Sequence, residues 1–570
     1  MKRNMNNRRD AIFILLVTMG ILLLANILSQ YAYLRFDLTS ERKFSIMPST
    51  KSMVKNLKDV VTFKIYLEGD MPAGFKRLRL STRDLLIELR AYGGKKIEFE
   101  FIDPTAGKNE DDRKALLNEL LSKGLAPANV QTGTATQSKL TMVFPCAVAY
   151  YMGREFPIQL LENQIGYNQE EVLNNSAVSL EYKFANAIQK LTMARAPKIA
   201  FSTGHGELNP LQVADITQQF INLKYQVARL DLTKRYKVDE DFNALIIAKP
   251  IQPFDEKDKY KIDQYIMHGG KVLWLIDATT ADLDSLKLNL TGQFVVDRNL
   301  NIDDQLFKYG ARINTDLVQD INMCNPIPLK VGNMGNAPQV ELYPWYYFPL
   351  LIPESKHPIV KNLDPIAAQF VSTVDTIRNP GVSKTILLRT TDNAKAVMTP
   401  ARVHFGILQQ KPNPMYYNQP RLPVAVLLEG QFQSLYKNRL PAEFIALGDS
   451  VKDLKFIDHS PDNKMIVIGD GDIIRNEVRN DSSAYPLGYY SVSRQTFANK
   501  DFILNCVQYL IDKSGILETR NKEVKLRLLN KIRVQNEKTK WQLINIALPI
   551  ALVILFGIGF NYYRRKKYAG

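Results

Sequence analysis

The chain has 570 residues, 45% hydrophobic and 23% charged, with 29 Gly and 28 Pro. That is ordinary globular composition, and it excludes a disordered, collagenous or low-complexity protein. Three Cys exclude a disulfide-stapled scaffold, and the formal net charge is +16.

Residues 11–28 (AIFILLVTMGILLLANIL) carry no charge and approach the roughly 20 residues that span a bilayer. Lys2, Arg3, Arg8 and Arg9 precede them. A signal peptide has an apolar core of about 7–15 residues and then small residues at its cleavage site. Here Ser29-Gln30-Tyr31-Ala32-Tyr33 follows, so the segment reads as an uncleaved anchor. Residues 543–560 (LINIALPIALVILFGIGF) form a second uncharged run, with Trp541 before it and Tyr562 and Tyr563 after it, suited to the headgroup layers. Arg564, Arg565, Lys566 and Lys567 then follow. Basic residues beside a span stay in the cytoplasm, so residues 1–10 and 561–570 read as cytoplasmic tails. Residues 29–542 then lie outside the cytoplasm. The tails carry +3 and +4 of the charge and leave +9 for the rest. Nucleic acid is therefore not the expected partner, whereas anionic lipid headgroups suit the tails.

Residues 29–195 read as a small α/β layer like thioredoxin. Residues 60–67 alternate as a strand, 75–92 carry leucines at helical spacing, and 97–102 alternate again before Asp103-Pro104. Asn109 caps a helix that Gly124 closes. Residues 142–151 and 156–161 form a hairpin about Gly153, and 179–191 a helix. The redox CxxC is absent, because Cys146 stands alone.

Residues 196–515 read as a flavodoxin-like or glutamine-amidotransferase-like parallel sheet. Strands are expected at 198–202, 226–230, 244–248 (ALIIA), 271–276 (KVLWLI) and 464–468 (KMIVI), with helices at 211–223, 255–267 and 501–511. A β-rich insertion covers about 322–435. Its aromatic run Tyr343-Pro344-Trp345-Tyr346-Tyr347-Phe348 is either insertion core or a partner surface centred on Trp345 and Tyr346. Residues 516–542 read as a basic juxtamembrane helix. Val524, Leu528, Leu529 and Ile532 share one face, and Lys525 and Arg527 are candidates for a membrane or partner contact.

Catalytic patterns are few. Gly69 to Gly74 has P-loop glycine spacing, but Phe75 stands where lysine is required. Gly-x-Ser-x-Gly is absent, and Gly448-Asp449-Ser450 lacks the downstream Asp-x-x-His of an esterase. The five His and three Cys are dispersed, so no metal site and no cofactor is expected. The strongest candidate ligand loop is Ser202-Thr203-Gly204-His205-Gly206-Glu207. It leaves the carboxyl end of a parallel strand, where open α/β sheets bind ligands. Asp470 and Asp472 end another strand and are expected at the same edge. A plain strand-to-helix turn is the other reading of this loop.

Several stretches together resemble the auxiliary extracytoplasmic subunit of a gliding-motility ABC transporter of Bacteroidetes (the GldG type). They are Arg35-Phe36-Asp37-Leu38-Thr39, Lys43-Phe44-Ser45, Tyr66-Leu67-Glu68-Gly69, Pro72-Ala73-Gly74-Phe75-Lys76-Arg77-Leu78 and Ile102-Asp103-Pro104. Phe201 to Glu207, Val467 to Asp472, Asn499 to Asn505 and Lys525-Leu526-Arg527-Leu528-Leu529 continue the series. The resemblance implies a subunit of the bacterial inner membrane with its bulk in the periplasm. It also implies a multi-span permease and a cytoplasmic ATPase as partners, with no catalytic residues to carry over. The family's central layer is similar to a domain shared with intraflagellar-transport proteins. An envelope tether or sensor, and an envelope hydrolase using His205, Glu207, Asp470 and Asp472, are the rival expectations.

Overall fold

Every second residue from Val61 to Ile65 is apolar, and this strand, β1, buries those residues on one face. The computed structural model describes residues 9–31, 45–104, 109–134, 137–162, 169–193, 195–288, 291–334, 337–353, 356–409, 411–438, 456–479, 481, 483–512, 514–521 and 531–568. Contacts divide it into two units, 1–522 and 523–570.

The first unit begins with helix α1 (Arg9–Tyr31), whose side chains from Ile12 to Leu24 are nearly all exposed. After α2 (Pro48–Lys55) and β1 come α3 (Ala73–Gly93), β2 (Ile97–Phe101), α4 (Glu110–Ser122) and the hairpin β3 (Ala128–Thr134) with β4 (Gln137–Val143). Strands β5 (Cys146–Tyr151) and β6 (Arg154–Gln159) and helix α5 (Gln169–Thr192) complete the layer. The sheet order is β2-β1-β5-β6, with β1 and β2 parallel and the remaining pairs antiparallel.

Phe63 and Ile65 face Phe75, Leu78 and Leu86 of α3 and Leu180 and Phe184 of α5. Tyr66, Cys146 and Val148 pack instead with Leu120 of α4. The strand expected from 142 to 151 is interrupted. Pro145 has no N–H to give a ladder, and β4 ends at Val143 before β5 starts at Cys146. The helix expected from 179 begins ten residues earlier, at Gln169. Glu170 and Glu171 favour its first turn, where the free N–H groups are positive. Burial pushes the Cys146 thiol up to about 12, away from the thiolate that exchange chemistry needs.

The second layer alternates β7 (Lys198–Thr203), α6 (Ala214–Asn222), β8 (Gln226–Asp231), β9 (Ala244–Ala248), α7 (Glu256–Met267) and β10 (Lys271–Leu275). Asp255 caps α7 by accepting from the Asp258 N–H. Short pairs follow: β11 (Gln293–Val295) with β20 (Ala401–Val403), β12 (Ala311–Ile313) with β17 (Val374–Thr376), and β13 (Asp316–Asp320) with β19 (Ala394–Met398). The long strands are β14 (Cys324–Met334), β15 (Ala337–Pro353), β18 (Val382–Arg389), β21 (Pro423–Gln433) and β22 (His459–Ile468), with β16 (Ile366–Ala367) paired to β15. The sheet runs β14-β15-β18-β21-β22-β10-β9-β7-β8.

Its last five strands are parallel, and in chain order they lie 2-1-3-4-5. The strands of the β-rich region extend this sheet antiparallel from β22. Period-two alternation sends Ile246, Leu273 and Ile466 to a face covered by α6 and the helix Asn499–Ile511. Leu245, Trp274 and Val467 go to the face covered by α7 and the helix Asp303–Tyr309. With both faces covered, ALIIA is buried at all five positions.

Trp345 and Tyr346 are not a surface. Trp345 is 0% and Tyr346 6% exposed on β15, so the expected partner surface there is corrected to core. The reason is local. The aromatic run is enclosed by Leu317, Phe370, Phe405 and Tyr417, and the Trp345 ring lies 5.3 Å from both Tyr347 and Phe405. Lys525 and Arg527 lie outside the described residues, as do residues 448–451.

The second unit contains the helix Lys531–Tyr568. Among the described residues one helix is long and apolar enough to cross a membrane, spanning Glu537–Lys566 within it. The apolar stretch Ile12–Leu24 of α1 is shorter.

Candidate functional site

The order 2-1-3-4-5 reverses between β7 and β9, and the loops after these strands flank the switch point where open sheets take ligands. The loop after β7 holds Ser202 to Glu207. Gly204 and Gly206 have φ of +115° and +72°, and a Cβ on Gly206 would lie 2.4 Å from Ile251. The His205 carbonyl accepts from the N–H groups of Ile251 and Gln252, both at 2.9 Å, which ties this loop to the one after β9.

His205 is buried. Its Nε2 lies 3.1 Å from Asp258 Oδ2, in the first turn of α7, and its ring stacks on Phe254 at 3.8 Å. Burial opposes the charge on Asp258, but bonds from His205 and Lys261 outweigh it and hold the carboxyl below its ordinary value. Glu207 Oε2 accepts from the His205 N–H at 2.8 Å. Its Oε1 lies 3.9 Å from His205 Nδ1, and these two buried atoms have no hydrogen-bond partner, nor does Ser202 Oγ. A histidine bonded to a carboxylate resembles half of a nucleophile-activating relay. Here Phe254 covers the ring, and the group facing Nδ1 is another carboxylate. The arrangement fastens the β7 loop to the start of α7.

Asp470 and Asp472 follow β22, and Asp277 follows β10. Each offers an oxygen within 4.8 Å of the others, and all three are buried. Lys249, just past β9 with φ of +54°, sends its ammonium to Asp277 Oδ2 at 3.0 Å and to Asp472 Oδ2. Burial disfavours the charge on Lys249, but Asp277 and Asp472 outweigh it and raise its pKa above the ordinary lysine value. On Asp472, burial is likewise outweighed, by Lys249 and Arg475, and the carboxyl is held low. Burial, then the charges of Asp472 and Asp277, push Asp470 well above the ordinary range. Asp470 Oδ2 accepts from the Gln369 N–H and Oδ1 from the Asp472 N–H, while Asp277 Oδ1 accepts from the Gly471 N–H. Three carboxylates at this spacing suit a hard divalent cation. The positive charges that this chain itself puts there are Lys249, between Asp277 and Asp472, and Arg475, 3.3 Å from Asp472.

The expected site therefore divides in two. The loop after β9 joins the parts: its backbone meets His205 and its Lys249 side chain meets the aspartates. Among the described residues no hydrogen bond or ion pair links His205 or Glu207 directly to Asp470 or Asp472.

Comparison with known proteins now adds to this geometry. Residues 196–506 match the family model of ABC transporter auxiliary proteins, described as an ABC-type uncharacterized transport system. Residues 40–150 match a domain of unknown function, DUF7088. The chain belongs to the ABC transporter auxiliary family. No curated protein matches this auxiliary chain. A solved structure described as "mmIFT52 N-terminal domain" is similar over 55% of this chain and 96% of its own, at 13% identity and a TM-score of 0.30.

In this ABC transporter auxiliary chain, sequence reasoning missed Asp258, Phe254 and Lys249. Asp258 is one of several acids in the first turn of α7, where any acid is favourable. Lys249 carried a signal, since a lysine directly after a fully apolar strand must find a counter-charge or leave the sheet.

Proposed function

We propose that this chain is the non-catalytic, extracytoplasmic subunit of an ABC transporter complex of the gliding-motility (GldG) type from Bacteroidetes. It is held in the bacterial inner membrane by a span at each end, with both termini cytoplasmic and the bulk of the chain periplasmic. The spans bind a multi-span permease, which a cytoplasmic ATPase drives. The outer layers meet substrate or envelope partners.

The observation that carries this reading is the family match over 196–506, in a chain that also has a span-length apolar helix. The strand order 2-1-3-4-5 supports the flavodoxin-like reading of the second layer, and the order β2-β1-β5-β6 the thioredoxin-like reading of the first. The uncharged run 11–28 with its basic flank supports an N-terminal span. The absence of catalysis draws support from the pairing of Lys249 with its two aspartates and the covering of His205 by Phe254. The test is purification from membranes in mild detergent. A permease and an ATPase are expected at fixed ratio with this chain. Its recovery alone, under conditions that hold comparable transporters together, would contradict the reading.

A further inference from the structure

Lys190, near the end of α5, is buried without an anion. It is 7% exposed, and its Nζ bonds the Tyr225 hydroxyl and lies 3.8 Å from the centre of that ring. Four other lysines with little exposure each hold a carboxylate: Lys183 with Glu162 at 3.4 Å, Lys249 with Asp277 at 3.0 Å, Lys259 with Asp304 at 2.8 Å and Lys261 with Asp258 at 2.6 Å. Among the described residues no carboxylate pairs with Lys190. Tyr225 does not substitute for one, because burial raises its hydroxyl above the ordinary phenol value and keeps it neutral. An ammonium taken out of water with no anion beside it gives up its proton. Burial accordingly lowers the Lys190 amine to about 7, although the charge of Asp512, after the helix Asn499–Ile511, pulls the other way.

Lys190 also lines a cavity of about 490 Å³ between β6, the end of α5 and the residues before β8. That volume falls in the range of small-molecule sites, about 300–1,000 Å³. Phe156, Leu191 and Leu223 give it apolar walls, and Arg154, Glu155 and Lys224 are its other charged lining groups. A desolvated amine in apolar surroundings is the form in which lysine attacks carbonyl carbon.

We propose that Lys190 is a nucleophilic lysine that captures a small, uncharged aldehyde or ketone in this cavity as an imine. The nitrogen lone pair forms the N–C bond while the C=O π pair moves to oxygen. The Tyr225 hydroxyl, already bonded to Nζ, gives that oxygen a proton and takes one from the nitrogen. The carbinolamine then loses water and leaves the C=N bond, so amine and carbonyl become imine and water with no oxidant or reductant. The apolar walls favour an aliphatic compound over a charged one. This capture site goes beyond the transporter reading and does not depend on it.

The test uses the full chain in detergent at pH 7, with butyraldehyde as probe and cyanoborohydride to fix any imine. Peptide mass spectrometry then reads alkylation at each lysine. At this pH an amine titrating near 7 has about a thousand-fold more neutral form than an ordinary lysine. Lys190 is therefore expected to be alkylated at least about ten-fold faster than Lys257, which is exposed on α7. Its rate is expected to saturate as butyraldehyde is raised, because the cavity fills, while that of Lys257 stays proportional. Tyr225→Phe is expected to slow Lys190 several-fold and leave Lys257 unchanged. A Lys190 rate no higher than that of Lys257 would overturn the nucleophile. A faster rate without saturation would overturn the cavity as a binding site, and an unaltered rate in Tyr225→Phe would overturn the proton transfer.

Discussion

Lys249→Met is expected to destabilise the folded body by about 3–5 kcal/mol at pH 7, because it leaves buried Asp277 without its cation and Asp472 with Arg475 alone, 3.3 Å away. Denaturant unfolding of the full chain in detergent measures it. The loss has a defined pH dependence. Asp472 is held low in the folded chain, so its share of stability is present above the unfolded value of about 3.9 and is lost as pH falls through the folded value. Lys249 is held high, so its share is present below about 10.4 and is lost as pH rises through its folded value. Between these limits the pair is charged on both sides. The deficit of Lys249→Met is therefore largest near neutral pH and shrinks as acid protonates Asp472. Adding Asp277→Asn and Asp472→Asn to Lys249→Met is expected to recover much of the loss. A deficit under about 1 kcal/mol at pH 7 would mean that the ion pair is solvated rather than buried.

Trp345→Ala is expected to cost about 3–5 kcal/mol, the range for truncating a large buried aromatic. Its indole is closed in by Tyr347, Phe405 and the apolar cluster around Leu317 and Phe370. Trp345→Phe keeps most of the volume and removes a buried N–H that has no partner, so it is expected to cost less than about 1.5 kcal/mol. The two melting curves separate core from docking surface. A surface residue would leave both variants near wild type in stability and would lower only partner recovery.

The parallel strands were readable because their residues obey one rule. A short, wholly apolar run of β-branched and aliphatic residues such as 244–248 or 465–468 fits a strand covered on both sides, and its end marks the edge where loops gather. The same rule located the His205 loop. It could not reveal what that loop touches, because Asp258 is 53 residues further on and looks like any helix-starting acid. The aspartates at 470 and 472 were legible as an edge pair. Their partner was not, since a lone lysine after β9 names no counter-ion. The aromatic run at 343–348 defeated periodicity altogether. A strand enclosed on both faces loses alternation, and exposed and buried aromatics then read alike. The break between β4 and β5 was written in Pro145, and the early start of α5 in Glu170 and Glu171.

The central claim is a body held outside the cytoplasm by its apolar ends, and a reporter placed between Met415 and Tyr416 tests it most directly. Both side chains are exposed, at 79% and 70%, at the end of the short 3-10 turn Pro414–Tyr416, the kind of exposed site where an insertion is expected to be tolerated. A phosphatase that folds only outside the cytoplasm is expected to be active there, and a fluorescent protein that folds only inside to be dark. The opposite pair of signals would place the body in the cytoplasm and contradict the account.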